Sequence, residues 1–137
     1  LESAELIKYA SNAFLATKIT YINEIANMCE KLNVNVEDVS IGMGSDKRIG
    51  GRFLRPGPAY GGSCFPKDTR AILNTANEIK SDLSLIKTVI KSNENRSRIL
   101  IQRISMKEHM MLLYMVQLEI LAVHVHVYCI ILQINLT

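Results

Sequence analysis

Gly50-Gly51-Arg52-Phe53-Leu54-Arg55-Pro56-Gly57-Pro58-Ala59-Tyr60-Gly61-Gly62-Ser63-Cys64-Phe65-Pro66 holds five of the chain's seven glycines and all three of its prolines. Neither a helix nor a strand interior accommodates that density, because Gly loses the most backbone entropy and Pro removes a donor. The stretch is therefore a loop. The other two glycines, Gly42 and Gly44, lie just upstream, so long Gly- and Pro-free runs flank the loop on both sides. The expected layout is helix, punctuated loop, helix, an all-α fold.

Working outward, Leu6, Ala10, Ala13, Phe14, Tyr21, Ile25, Met28, Cys29 and Leu32 recur at intervals of three, four or seven, the spacing of an amphipathic helix. Ser3 is its expected N-cap. Asn33 and Asn35 form a turn, after which Val36 to Met43 reads as a short helix closed by Gly44. Beyond the loop, Pro66 to Lys80 reads as one helix and Leu83 to Ser105 as another, capped by Ser81 or Asp82. There is no alternating strand pattern before residue 106, no internal repeat, and no Gly-rich strand-to-helix turn of the dinucleotide-binding kind.

A length of 137 residues suits one domain, and 48% hydrophobic residues is ordinary for a globular chain. The net charge of +3 comes from scattered Lys and Arg without clustered aromatics, which argues against nucleic acid as a partner. Three cysteines at unrelated spacings give neither a disulfide framework nor paired metal-ligand spacing, and no signal peptide is visible; both fit a reducing, cytoplasmic setting. The chain opens on Leu1 rather than Met, as expected of a piece lacking its upstream portion.

From Met106 the composition changes. Met110 to Thr137 carries one charged residue, Glu119, in a run of Leu, Ile, Val and Met. A membrane helix needs about 20 apolar residues, and here Gln117, Glu119, His124 and His126 would sit inside it, which disfavours a membrane role. The alternation Val123-His124-Val125-His126-Val127 would suit a strand with both imidazoles on one face, but no third ligand is in view and no metal site is assigned. The reading preferred is a frameshifted or misread terminus. The expected division is a helical domain at 1–105 and an unassigned apolar tail of uncertain structure at 106–137.

The loop ends in Gly61-Gly62-Ser63-Cys64-Phe65-Pro66-Lys67-Asp68. Paired glycines permit close approach of a ligand to the backbone, and Pro66 suits a first helical turn, where its missing N–H costs nothing. Cys64 thus falls at a helix start, where unpaired N–H groups and the adjacent Lys67 favour thiolate over thiol. Asp68, one turn on, is placed to activate a water for attack on whatever the thiol has captured. Cys29 and Cys129 read as buried apolar fillers, and on the residues alone a structural thiol stands beside the reactive one as a reading of Cys64.

Gly-Gly-Ser-Cys-Phe-Pro-Lys-Asp, preceded by Asp46-Lys47-Arg48-Ile49-Gly50 and Phe53-Leu54, resembles the nucleophile loop of the UDP-glucose 6-dehydrogenases, within the wider UDP-glucose/GDP-mannose dehydrogenase family. Ala4 to Ala16 is similar to the first helix of that family's central, dimer-forming domain. The resemblance runs from about Leu1 to Arg103. It implies oxidation of UDP-glucose to the glucuronate by two hydride transfers to NAD, with Cys64 as the nucleophile, Asp68 assisting proton transfer, and Lys8 with Asn12 stabilising charge on the substrate oxygen. On periodicity alone Lys8 and Asn12 are solvent-facing helix residues four apart. It further implies that Phe53, Leu54, Arg55, Pro56, Gly57 and Gly61 line the nucleotide sugar, that Arg48 reaches the substrate of the partner subunit in a homodimer, and that Lys67 lies near the cofactor. Ala59 stands where the family usually has Gly, and would be strained there at positive φ. The family's NAD-binding domain has no counterpart here, so the piece alone is expected not to turn over. A GDP-mannose or UDP-N-acetylhexosamine relative, a helical association module and a gene remnant are the alternatives.

Overall fold

The computed structural model describes the backbone of residues 3–134 and the side chains of residues 3–118. Four helices follow in order: α1 (Ser3–Leu32), α2 (Val36–Gly44), α3 (Phe65–Glu78) and α4 (Ser84–Ile134). There is no strand among the described residues. The all-α expectation therefore holds. The last helix does not end near Ser105, and residues 123–127 are helical rather than extended. The chain forms two compact units, Leu1–Arg98 and Ile99–Thr137. In the second unit the side chains described, from Ile101 and Ile104 through Met106, Met110 and Leu112 to Leu118, are exposed. Among the described residues no helix is long and apolar enough to cross a membrane. The side chains of His124, His126 and Cys129 lie outside those described.

In the first unit α1 is the organising element. Glu5 in its first turn and Lys31 in its last complement the helix dipole. Ser3 is itself helical rather than a cap. The helix stops where Asn33 takes a left-handed φ of 54°, and the Val34 amide donates back to the Cys29 carbonyl at 2.9 Å. Asn35 then caps α2, its Oδ1 accepting from the Glu37 amide.

The apolar positions of α1 do not form the single stripe that their spacing implies. Ala13, Ala16, Thr20, Asn23 and Cys29 are buried, whereas Leu6, Phe14, Tyr21, Met28 and Leu32 are exposed. Small residues at 13 and 16 let the other helices come close, and larger apolar residues stand on another face. Ala13 packs with Ile72 of α3 and Ile86 of α4, bordered by Tyr9, Leu83 and Ile90. Ala16 packs with Tyr60 and Val89, bordered by Ile19 and Phe65. Three helices and the loop thus contribute to two small apolar clusters along α1.

The loop between α2 and α3 is held by side chains rather than by its own ladder. Lys18 donates to the carbonyls of Ile49 and Gly50, both at 2.9 Å, and Ser40 donates to the Leu54 carbonyl. Leu54 itself is buried. Gly44 is not a left-handed cap, since Ser45 follows it in right-handed conformation. Its role is steric, for a Cβ on Gly44 would lie 2.7 Å from the Gly51 Cα.

Candidate active site

Gly62 takes a left-handed φ of 76° and swings the chain into α3. Cys64 is the N-cap residue, and its carbonyl accepts the first helical bond from the Asp68 amide at 2.8 Å. Pro66 occupies the first turn as its missing donor allows. The Cys64 thiol is free and exposed, with the Ser63 hydroxyl 3.8 Å from its sulfur.

Asp68 is enclosed completely. Its Oδ2 accepts from the Nδ2 of Asn12 on α1 at 2.6 Å, so the carboxyl is turned to α1. Its Oδ1 has no hydrogen-bond partner, and the exposed Lys67 ammonium lies 3.7 Å away. Asn12 and Asp68 are thereby brought together, and Lys67 flanks them. Lys8 is exposed one turn before Asn12, its ammonium 5.8 Å from the Tyr9 ring. Tyr9 donates to Glu5, whose carboxylate raises the phenol above its ordinary pKa.

The loop residues divide by role. The ring of Phe53 meets that of Phe65 edge-on at 6.0 Å, and the Tyr60 ring meets Phe65 at 6.1 Å. Phe53 is held at φ 65°, a conformation that costs an L-residue roughly 1 kcal/mol or more. Ala59 is not among the residues at positive φ, so the Gly-to-Ala departure carries no backbone strain. Arg55 and Gly61 are exposed, and Pro56 and Gly57 half-buried. Arg48 lies away from this cluster's contacts, folded onto Asp46 at 2.6 Å, and the guanidinium holds the Asp46 carboxyl below its usual range. Burial pushes the Tyr60 phenol up.

Besides Ser40, four side chains outside the sequence expectations fix this loop. Asn23 accepts from the Gly57 amide at 2.8 Å, and Arg96 donates to the Gly57 carbonyl at 2.7 Å. Asn93 accepts from the Tyr60 amide at 2.8 Å and donates to the Tyr60 carbonyl at 3.0 Å. Lys18 is the fourth. The available signal was polarity at core-facing positions: α1 buries 13, 16, 20 and 23, and α4 buries or half-buries 86, 89, 93 and 96, each switching from apolar to polar along the stripe.

Among the described residues there is no strand, hence no strand-to-helix turn to cradle a dinucleotide pyrophosphate, and no group of three His, Cys, Asp or Glu placed for a metal ion. Lys67 offers one exposed cation.

The chain is 56% identical over 103 residues to a UDP-glucose 6-dehydrogenase of Bacillus subtilis (strain 168), covering 75% of this chain and 23% of that protein. It is 57% identical over 96 residues to a UDP-glucose 6-dehydrogenase of Rhizobium meliloti (strain 1021), covering 70% and 22%. Its fold matches the UDP-glucose dehydrogenase of the archaeon Pyrobaculum islandicum with a TM-score of 0.71 and 38% identity, over 76% of this chain and 24% of that one. An NDP-N-acetyl-D-galactosaminuronic acid dehydrogenase of Methanosarcina mazei Go1 matches with a TM-score of 0.64 and 28% identity, over 79% and 25%. The chain thus spans about a quarter of the length of these relatives. Residues 2–95 match the model of the UDP-glucose/GDP-mannose dehydrogenase family, central domain, and with these relatives beside it the chain belongs to that family.

Proposed function

We propose that this chain supplies the nucleophile of an NAD-dependent UDP-glucose 6-dehydrogenase, the oxidoreductase that converts UDP-glucose to UDP-glucuronate. One observation carries the reading: an exposed free thiol at the start of α3 stands one turn before a fully enclosed carboxyl that Asn12 fixes to α1 at 2.6 Å. The Cys64 thiolate adds to the aldehyde carbon of the half-oxidised sugar, and the carbonyl oxygen takes up a proton, giving a thiohemiacetal without net redox change. NAD is the hydride acceptor in such an enzyme, and the described residues do not cradle it. When a thioester on Cys64 is hydrolysed, water adds to its carbonyl carbon, one of its protons passes by way of Asp68 to the departing sulfur, the other is released to solvent, and the carbon–sulfur bond breaks to leave a carboxylate and the free thiol.

Oδ1 of Asp68, buried and without a hydrogen bond, is the carboxyl oxygen left to take up that proton, with the Lys67 ammonium beside it. Asn12 has two amide hydrogens; one is used on Asp68, and the other serves the substrate oxygen together with Lys8. Phe53, Arg55, Pro56 and Gly61 flank the nucleotide sugar, while Leu54 and Gly57 act by holding the loop. Arg48 serves the partner's substrate in a homodimer, and Lys67 the cofactor side. The free thiol that the chemistry requires is best kept in a reducing cytoplasm. The likeness to the N-acetyl-galactosaminuronic acid dehydrogenase favours an N-acetylated sugar as the second reading, at lower identity than the UDP-glucose branch.

The test is to mix the full chain with the aldehyde derived from UDP-glucose and follow the protein by native mass spectrometry. A reversible adduct is expected, absent in Cys64→Ala. An adduct that persists in Cys64→Ala would overturn the assignment.

A further inference from the structure

The backbone polar groups of a partly buried loop need partners, because an unpaired buried amide or carbonyl costs about 1–3 kcal/mol. Tyr60 is buried and lies four residues before Cys64. Both of its backbone groups are taken by a single side chain: Asn93 on α4 accepts from its amide at 2.8 Å and donates to its carbonyl at 3.0 Å. That two-point grip imitates one rung of a β-ladder and fixes the Tyr60 peptide in position and in rotation. The ring of Tyr60 packs edge-on against Phe65, the residue that follows Cys64. Tyr60 also sits with Ala16 and Val89 in the core, so the grip is referred to both α1 and α4. Between Tyr60 and Cys64 lie only Gly61, Gly62 and Ser63, all exposed. This short tether has no described anchor of its own except through its two ends.

We infer that Asn93 is a positioning residue for the Cys64 thiol: by clamping both backbone groups of Tyr60 it sets where the Gly61–Ser63 tether delivers Cys64 at the start of α3. The inference rests on Cys64 being the nucleophile, and it concerns only how that thiol is held. Asn93 does not touch substrate or thiol. Arg96 and Asn23 grip Gly57 further upstream and steady the approach to Tyr60.

The experiment compares the wild-type chain with Asn93→Leu, which has similar volume and neither polar function, and Asn93→Asp, which keeps the acceptor for the Tyr60 amide but loses the donor to its carbonyl. Each is treated with iodoacetamide at neutral pH, and the rate at every cysteine is read by peptide mass spectrometry. Buried Cys29 is the internal control for the fold. In Asn93→Leu the Cys64 rate is expected to fall on the order of tenfold while Cys29 stays protected, with Asn93→Asp between the two. A purely structural role would release Cys29 in step with any change at Cys64. Should Asn93→Leu unfold, Asn93→Asp decides by the same comparison. A Cys64 rate within about twofold of wild type in a folded variant overturns the inference, as does a change at Cys64 matched by exposure of Cys29. Iodoacetamide needs no sugar nucleotide, so failure of the aldehyde adduct would count against the proposed function and leave this result readable.

Discussion

The side-chain amide of Asn12 in α1 donates to the carboxyl of Asp68 in α3 at 2.6 Å, joining two residues 56 positions apart. The carboxyl is wholly enclosed, and its other oxygen has no hydrogen-bond partner. This single bond therefore carries the polar satisfaction of the buried group. Asn12→Ala should destabilise the first unit by about 1–3 kcal/mol, the cost of stranding a buried polar atom. A cycle with Asp68→Ala should show that the double variant loses less than the sum of the two single ones. Urea unfolding measures all four, and strict additivity would mean that the two residues do not act together.

Burial raises the Tyr60 phenol, which predicts how stability responds to base. The unfolded chain releases this proton near pH 10, whereas the folded chain keeps it to higher pH. Between those values the unfolded state binds fewer protons, so stability is complete below about pH 10 and declines as pH rises toward the folded value. Tyr60→Phe keeps the ring contact with Phe65 and removes the titrating group. Its stability should fall less steeply than that of wild type above about pH 10, as followed by urea midpoints across the alkaline range. Parallel curves would rule out Tyr60 as the source.

The outer face of α1 carries a row of exposed apolar side chains. Phe14 and Tyr21, seven apart, are 65% and 49% exposed, in line with the exposed Met28. Exposed apolar rows of this kind mark partner surfaces, and the partner proposed here is a second copy of the chain. Phe14→Glu and Tyr21→Glu should each weaken dimerisation by about 30-fold or more, as expected when an interface aromatic is lost. Sedimentation velocity on the full chain reads this directly, and a monomeric wild type would contradict the dimer.

The Gly- and Pro-rich stretch made the fold class legible, because backbone entropy and missing donors act locally and leave few alternatives for the flanking runs. The turn at Asn33 and Asn35 and the helix start at Cys64 were legible for the same reason. The facing of α1 was not. Spacing of three and four allows more than one apolar face, and the choice was made by Ala13 and Ala16, whose small size admits α3 and α4 rather than adding hydrophobic area. Asn23, Asn93 and Arg96 showed in the sequence only as polar residues on core-facing stripes, and that signal does not name their partners, which are main-chain groups. The extent of α4 was obscured by a composition change at Met106 that does not interrupt helical backbone. Asp68 was legible as a first-turn carboxyl beside the thiol, but its partnership with Asn12 depends on how α1 and α3 cross.

The crossing of Gly44 and Gly51 makes mutational tolerance unequal at two positions that look alike in sequence. A side chain at Gly44 would drive its Cβ to 2.7 Å from the Gly51 Cα and 3.2 Å from its nitrogen, atoms of main chain that have no rotamer with which to yield. A Cβ at Gly51 would instead meet Gly44 at 3.9 Å, an ordinary contact. One of the two glycines is demanded by the other's backbone while the reverse demand is missing. Sequence drift at this junction is therefore free to enter through Gly51 and is closed at Gly44.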